Sequence, residues 1–148
     1  MIEEIEITGI VDITLYSFDG KVKHQETINN LVTTAGKNFI VRKIISDSEE
    51  ISSIGIGSGT TVATLSDSDL ESVLANEPVR FQFIDTVETN ILFNVTTFEE
   101  NVGTGTINEV GLFSDSSPQN LLCRTVVTTP FVKDATDYLN VSWKIKIG

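Results

Sequence analysis

The only histidine and the only cysteine of the chain are the first residues to test for catalysis. A Ser-His-Asp or Cys-His arrangement would have to use His24, which lies in a predicted strand with no nucleophile motif near it. Cys123 lies in an apolar run, where a small buried thiol is the common finding. One histidine and one cysteine cannot supply the ligands of a zinc site. We therefore predict a structural role for both residues.

A glycine-rich stretch over 55–61, Gly-Ile-Gly-Ser-Gly-Thr-Thr, has a superficial likeness to a phosphate-binding loop. Such a loop needs a lysine that reaches the phosphates, and it opens a helix after a strand. The stretch has no lysine, and no strand–helix–strand unit surrounds it. We expect a strand that ends in a flexible turn.

Pairs of acidic residues are the remaining candidates for metal binding or hydrolysis. Asp67 and Asp69 have the spacing that opens a calcium loop, but the glycine and distal glutamate of an EF-hand do not follow. Asp134 and Asp137 lie in a predicted turn, where aspartate commonly bonds its own backbone. A glycosidase needs two carboxylates at one site, and no motif places two together. We predict no metal, no cofactor and no catalytic residue, while calcium or sugar binding by a loop stays open.

Glu109 is predicted to lie on the same strand face as Ile107 and Phe113. A carboxylate in such a half-buried position usually needs a partner. Arg80 and Arg124 both lie within predicted strands. We expect Glu109 to pair with one of them, across the sheet or across a subunit boundary. The alternative is an edge-strand Glu109 that faces water.

Charge and composition exclude several classes of protein. The 148 residues include 10 Lys and Arg against 21 Asp and Glu, a net charge of −11, which opposes binding to nucleic acid or to an anionic membrane surface. No apolar run approaches the roughly 20 residues that span a bilayer. The acidic, alternating start at Met1 is unlike a signal peptide, so we expect residue 1 to belong to the fold. The lone cysteine fits a protein made in a reducing cytoplasm.

Period-two alternation dominates the chain and predicts a mostly β fold. Strands are expected over 5–15, 22–28, 51–57, 79–83, 91–95, 106–114, 121–128 and 138–147, with a break at Asn29-Asn30. Thr33 or Thr34 can cap an α-helix over about 33–45, and an acidic segment predicts a short helix over about 67–74. The prediction is one domain over 1–148, an antiparallel β-sandwich of about eight strands with one helix, which begins with a hairpin over 1–29.

A series of short motifs runs from Asn30 to Ile147. In order, they are Asn30–Lys37 at the helix start, Ile54–Thr61, the Asp/Ser-rich segment ending in Leu70, Arg80, Ile107–Phe113, Leu122–Arg124 and a last strand with Trp143. In this order they resemble a group of small virion proteins of tailed bacteriophages, found as fibre, baseplate or capsid-decoration parts. The stretch Asn-Glu-Val-Gly-Leu-Phe is the more specific part of the resemblance, and the glycine-rich stretch alone is weak.

The resemblance implies a structural or attachment role, as a homotrimer or in a symmetric array, and it carries over no catalytic residue. Its shared motif would be a folding motif, in which glycines permit turns or close backbone approach. The residues expected to serve folding or assembly are Gly55, Gly57, Arg80, Asn108, Glu109, Gly111 and Arg124. The N-terminal hairpin, which matches the group least, would dock onto the larger particle.

We therefore expect a non-enzymatic virion protein, made in the cytoplasm of the bacterial host, in a capsid-decoration, tail-fibre or baseplate element. Its expected partners are other virion proteins, further copies of itself with a trimer favoured, and a glycan of the host surface. The alternative is a carbohydrate-binding adhesin module, which needs exposed aromatic side chains from among Trp143, Tyr16 and Tyr138. Trp143 falls on an apolar strand face, which favours the core. A polysaccharide depolymerase is the least favoured function.

Overall fold

The computed structural model describes residues 4–148 as nine strands and one helix. The elements are β1 (Ile7–Tyr16), β2 (Val22–Val32), α1 (Thr34–Ile44), β3 (Ile51–Gly57), β4 (Val73–Pro78), β5 (Phe81–Ile84), β6 (Ile91–Phe98), β7 (Gly105–Ser114), β8 (Leu121–Lys133) and β9 (Tyr138–Ile147). The prediction that residue 1 belongs to the fold concerns a residue outside the described range.

All nine strands belong to one antiparallel sheet in the order β4-β3-β7-β8-β2-β1-β9-β6-β5. Its two edge strands, β4 and β5, follow each other in the chain. The Thr96 hydroxyl donates to the Pro78 carbonyl at 2.6 Å, and the Arg80 amide donates to the Val95 carbonyl at 2.9 Å, which holds the crossing between them. The sheet therefore curls into a half-barrel. This confirms the mostly β, antiparallel prediction, but the expected eight-stranded sandwich is replaced by one curled sheet.

The continuity of β2 explains this difference. The predicted break at Asn29-Asn30 is wrong, because β2 runs on to Val32 and pairs with β1 and then, at Leu31 and Val32, with β8. Asn30 lies opposite Gly9, and a Cβ atom on that glycine would come within 2.2 Å of the Asn30 side-chain oxygen. The glycine makes room for the asparagine inside the strand pair, so β2 joins the two halves of the sheet.

The helix α1 forms where the sequence predicts it and is fixed on β8. The Thr33 hydroxyl accepts the Gly36 amide at 3.0 Å, as an N-cap should, and donates to the Leu121 carbonyl at 2.6 Å. A Cβ atom on Gly36 would lie 2.1 Å from the Leu122 carbonyl oxygen. The missing side chain of Gly36 lowers its helix propensity, but it also allows the helix to pack closely on the strand.

The predicted short helix over about 67–74 is wrong. This segment is an irregular connection, and the chain then enters β4, a strand that was not predicted. Asp67 accepts hydrogen bonds from the Thr64 amide and hydroxyl, and Asp69 accepts the Leu70 amide. Short acidic side chains that bond nearby backbone in this way compete with the hydrogen bonds of a helix. The next two backbone amides, those of Glu71 and Ser72, donate to a carboxylate on another strand, as described below.

Glu49 ties the connection between α1 and β3 to the turn between β7 and β8. Its carboxylate accepts the Ser114 hydroxyl, the Asn120 amide nitrogen at 2.7 Å and the Arg42 guanidinium at 2.7 Å. The Ser114 hydrogen bond, helped by Asn120 and Arg42 and opposed by burial, lowers the pKa of Glu49 from 4.5 to about 2. The folded protein thus favours the ionised form of this side chain.

We predict that Glu49 makes folding stability depend on pH in the acid range. A lowered folded-state pKa adds stability that is complete above about pH 4.5 and is lost as the pH falls to about 2. The difference corresponds to about 3 kcal/mol. In urea unfolding, the stability gap between wild type and Glu49→Gln should be largest near neutral pH and should close toward about pH 2.

The matched control is Glu50→Gln, because the exposed Glu50 pairs only with Lys43 at the surface. Its stability gap should stay below about 1 kcal/mol at every pH. A Glu49→Gln gap that does not change with pH would contradict the assignment.

Candidate functional site

The carboxylate of Glu109 is the centre of the motif residues. The side chain is fully buried on β7. One oxygen accepts the Glu71 amide at 2.8 Å and the Arg124 Nε at 3.1 Å, and the other accepts the Gly59 amide at 2.6 Å and the Ser72 amide at 2.9 Å. Four donors occupy the lone-pair positions of the carboxylate. Glu109 is therefore engaged as a structural acceptor, with no position left for a proton transfer or a metal ion.

Glycines allow the backbone to approach this carboxylate. A Cβ atom on Gly57 would lie 2.8 Å from Glu109 Oε2, and one on Gly59 would lie 2.2 Å from the same oxygen. Any larger residue would displace the amides that bind the carboxylate. Gly57 therefore allows the close backbone approach that was expected of it. Gly59 has the same role, although the sequence analysis did not single it out.

Arg124 is the partner of Glu109, which confirms the predicted pairing and selects one of its two candidates. Its side chain is only 3% exposed, and its second hydrogen bond joins Nη1 to Asp67 Oδ2 at 3.1 Å. Burial raises the pKa of Asp67, but the Thr64 hydrogen bonds and the Arg124 charge outweigh burial, and the pKa falls below its usual value. The pair thus links β7, β8 and the 65–72 connection within one chain.

The other motif residues pack around the same connection. The Asn108 side chain donates to the Ser58 carbonyl at 3.1 Å. Cβ atoms on Gly55 and Gly111, which pair with each other across β3 and β7, would come within 3.1 and 2.9 Å of the two methyl groups of the buried Leu70 side chain. Six of the seven residues singled out from the sequence therefore meet in one cluster, which we call the Glu109 cluster: Gly55, Gly57, Asn108, Glu109, Gly111 and Arg124.

Arg80 lies outside the Glu109 cluster. It follows the bend between β4 and β5, where its guanidinium pairs with Glu99 at 2.7 Å. Both side chains are largely exposed, at 40% and 56%. The alternative pairing with Glu109 is therefore wrong, because Arg80 pairs with Glu99 and Arg124 occupies the position beside the Glu109 carboxylate.

His24, Cys123 and Trp143, for which the sequence favours structural roles, all have contacts inside the protein. His24 stacks on Phe131 with ring centroids 4.4 Å apart and contacts Glu26 at 3.2 Å. Cys123 is buried, and burial raises the pKa of its thiol. Trp143 is completely buried beside it, so it cannot serve as an exposed platform for a sugar ring.

The remaining aromatic candidates and the acidic pairs also have internal partners. Tyr16 and Tyr138 stack on each other with centroids 5.0 Å apart. Asp137 accepts the Asp134 amide at 2.9 Å, as predicted for a turn, and binds Lys23 at 2.6 Å. Among residues 4–148, no group of three or more His, Cys, Asp or Glu side chains is arranged to hold a metal ion.

An apolar cavity of about 600 Å³ was not anticipated from the sequence. It lies between α1 and the end of the curled sheet, and its lining includes Phe39 and Ile40 of α1, Leu92 of β6, Cys123 of β8 and Ile145 of β9. The sequence signal that could have indicated this cavity was the apolar face of α1, which is wider than packing on the sheet alone requires.

The mouth of the cavity combines one ion pair with exposed apolar side chains. Lys43 and Glu50, which form a 2.9 Å pair, lie at its edge. Two apolar lining residues have large exposed fractions: Ile84 60% and Ile147 42%. We call these two residues the apolar rim. An exposed apolar surface that continues into a cavity is typical of a binding site.

A second, more polar groove of about 670 Å³ lies beside the 65–72 connection. Its lining includes the polar side chains of Asp69, Asn76, Gln119 and Asn120 and the apolar side chain of Leu65. Amide and carboxylate groups in such a groove can bind hydroxyl groups of a ligand.

Comparison of the chain with family models, with curated proteins and with solved structures finds no match in any of the three. Within the described range, α1 is too short and too polar to cross a bilayer.

We predict that Glu109→Gln lowers the free energy of unfolding by about 3 kcal/mol, because it removes the fully buried carboxylate that pairs with Arg124 and leaves only the partly exposed Asp67 as its ionic partner. The matched control is Glu99→Gln, which removes the exposed partner of Arg80 and should cost less than about 1 kcal/mol. Both values can be measured by denaturant unfolding. Equal losses for the two variants would contradict the importance of the buried pair.

Proposed function

We propose that the chain is a non-enzymatic structural protein of a tailed-bacteriophage virion, part of a capsid-decoration, tail-fibre or baseplate element. The observation that carries the proposal is the Glu109 cluster. Six residues of the motif series that resembles such virion proteins meet in it, around a carboxylate whose acceptor positions are all used for folding. The motif therefore acts in this chain as a folding device, as the resemblance implies.

Exposed apolar surface supports an assembly role. The apolar rim continues into a cavity of about 600 Å³, and Phe18 at the tip of the N-terminal hairpin is 75% exposed. Exposed apolar patches on a chain that otherwise carries a charge of −11 are costly unless another molecule covers them. Virion proteins and further copies of the chain are the proposed partners, and the hairpin is the proposed docking element.

The location of the protein in particles tests this proposal. In the phage or prophage system that encodes the chain, virions are purified on a density gradient and their proteins are quantified by mass spectrometry. We expect the chain to co-purify with infectious particles in a fixed ratio to the major capsid protein. A chain that stays in the lysate supernatant and is absent from particles would contradict the proposal.

Glycan binding is a second candidate function, favoured by the polar groove beside the 65–72 connection. The groove offers Asn76, Gln119 and Asn120 as hydrogen-bonding partners. The burial of Trp143 removes the aromatic platform that the adhesin alternative needed most. Glycan binding would therefore depend on hydrogen bonds, with the groove as its site.

We predict that glycan binding, where it occurs, is lost on Asn76→Leu and kept on Asn140→Leu, since Asn76 is an exposed lining residue and Asn140 lies on β9 outside the groove. An array of bacterial surface glycans measures the binding, and circular dichroism checks that both variants fold. No glycan signal for the wild type, or equal signals for the two variants, would remove the groove as a site.

A further inference from the structure

The hairpin between β1 and β2 presents one aromatic side chain to the solvent. Phe18 is 75% exposed, and the turn that carries it is held by hydrogen bonds from the Ser17 amide to the Lys21 carbonyl at 2.8 Å and from the Gly20 amide to the Ser17 carbonyl at 2.9 Å. Gly20 adopts a φ of 85°, which glycine permits at low cost. The tip is thus an ordered projection with an apolar end.

The apolar cavity lies at the other end of the same strands. Its lining includes Ile145 and Ile147 of β9, which pair with Gly9 and Ile7 at the start of β1, whereas the hairpin tip follows Tyr16 at the end of β1. Ten strand residues separate the two ends, a length of about 30 Å. One chain therefore carries an apolar projection and an apolar cavity that cannot contact each other within the same molecule.

We propose that Phe18 of one copy inserts into the apolar cavity of a second copy. Protein interiors are close-packed, so an open apolar cavity of about 600 Å³ offers unused packing contacts to an apolar group of another molecule. An aromatic side chain on an ordered turn is the kind of anchor that such pockets accept. The volume also leaves room for neighbouring atoms of the hairpin tip.

The local charges permit this contact in a chain whose net charge of −11 otherwise drives copies apart. Beside Phe18, Asp19 and Lys21 carry one negative and one positive charge, 3.8 Å apart. At the mouth of the cavity, Lys43 and Glu50 do the same. Each surface is locally neutral, so the two can approach without like-charge repulsion.

The apolar rim favours a polypeptide occupant over a small molecule. A small ligand inside the cavity would leave the outer parts of Ile84 and Ile147 exposed to water, whereas a hairpin seated in the mouth would cover them as well. The contact joins two different surfaces, so it is heterologous and repeats from copy to copy. The placement of the two surfaces at opposite ends of β1 favours an open series along the strand direction. This inference rests on the assembly role proposed above.

A mixing experiment tests the contact. Phe18→Ser removes the projection and leaves the cavity, and Thr89→Trp blocks the mouth at an exposed lining residue and leaves the projection. We expect the wild type to increase in average mass with concentration in analytical ultracentrifugation. Each variant alone should associate at least about 30-fold more weakly. An equimolar mixture should form a 1:1 pair and nothing larger, because only one functional projection and one functional cavity remain.

Two controls keep the result specific. Phe81→Ser removes another exposed phenylalanine, 67% exposed on β5, and should associate like the wild type. Ile84→Lys changes the apolar rim without adding bulk and should weaken association as Thr89→Trp does. Melting temperatures of all variants confirm that they fold.

A wild type that is monomeric at all concentrations, or a mixture of Phe18→Ser and Thr89→Trp that stays monomeric, overturns the contact. If Phe18→Ser then binds an apolar dye that Thr89→Trp does not bind, the cavity belongs to a small apolar molecule. Mass spectrometry of virions reports the assembly role independently, so the failure of one proposal is distinct from the failure of the other.

Discussion

The arrangement of β7, β4 and the connection over 58–72 depends on the hydrogen bonds of the buried Glu109 carboxylate. A charged group without exposure to water must be fully hydrogen-bonded, and here three backbone amides and one guanidinium do this. The three amides come from the two ends of the 58–72 connection. Binding them to one carboxylate folds this long connection against β7 and sets where β4 begins. The Glu71 and Ser72 amides of the acidic segment are consequently not free for the helix that its composition favours.

A second constraint is the continuity of β2. Because this strand pairs with β1 along most of its length and with β8 at its end, the two halves of the sheet cannot separate into the layers of a sandwich. The sheet curls instead, and its concave face encloses a core in which Ile13, Ile54, Leu112 and Trp143 are fully buried. Helix α1 covers only part of the opening. The apolar cavity beside α1 is the space that the helix leaves.

In the proposed role, folding and assembly are carried by different parts of the chain. The Glu109 cluster is internal, and protein donors fill the acceptor positions of its carboxylate. The hairpin tip and the cavity mouth are external, apolar and locally neutral in charge, and they lie at opposite ends of β1. A protein with this division can keep one folding device while its contacts to partners vary. This division fits the proposed virion role, in which a small domain serves as a structural unit.

The sequence by itself determined the elements whose signal is local. Alternation of period two identified eight of the nine strands, although β8 and β2 extend beyond their predicted ends, and Thr33 identified the start of α1. The requirement that a buried charge has a partner identified the Glu109–Arg124 pair as one of two choices. The tertiary structure then decided between Arg124 and Arg80, because the choice depends on pairings between residues far apart in sequence. For the same reason, only the tertiary structure decided that the sheet curls, that residues 67–72 are not helical, and that the apolar face of α1 leaves a cavity. Each of these features results from contacts between distant segments, which outweigh local preference when buried polar groups must be satisfied.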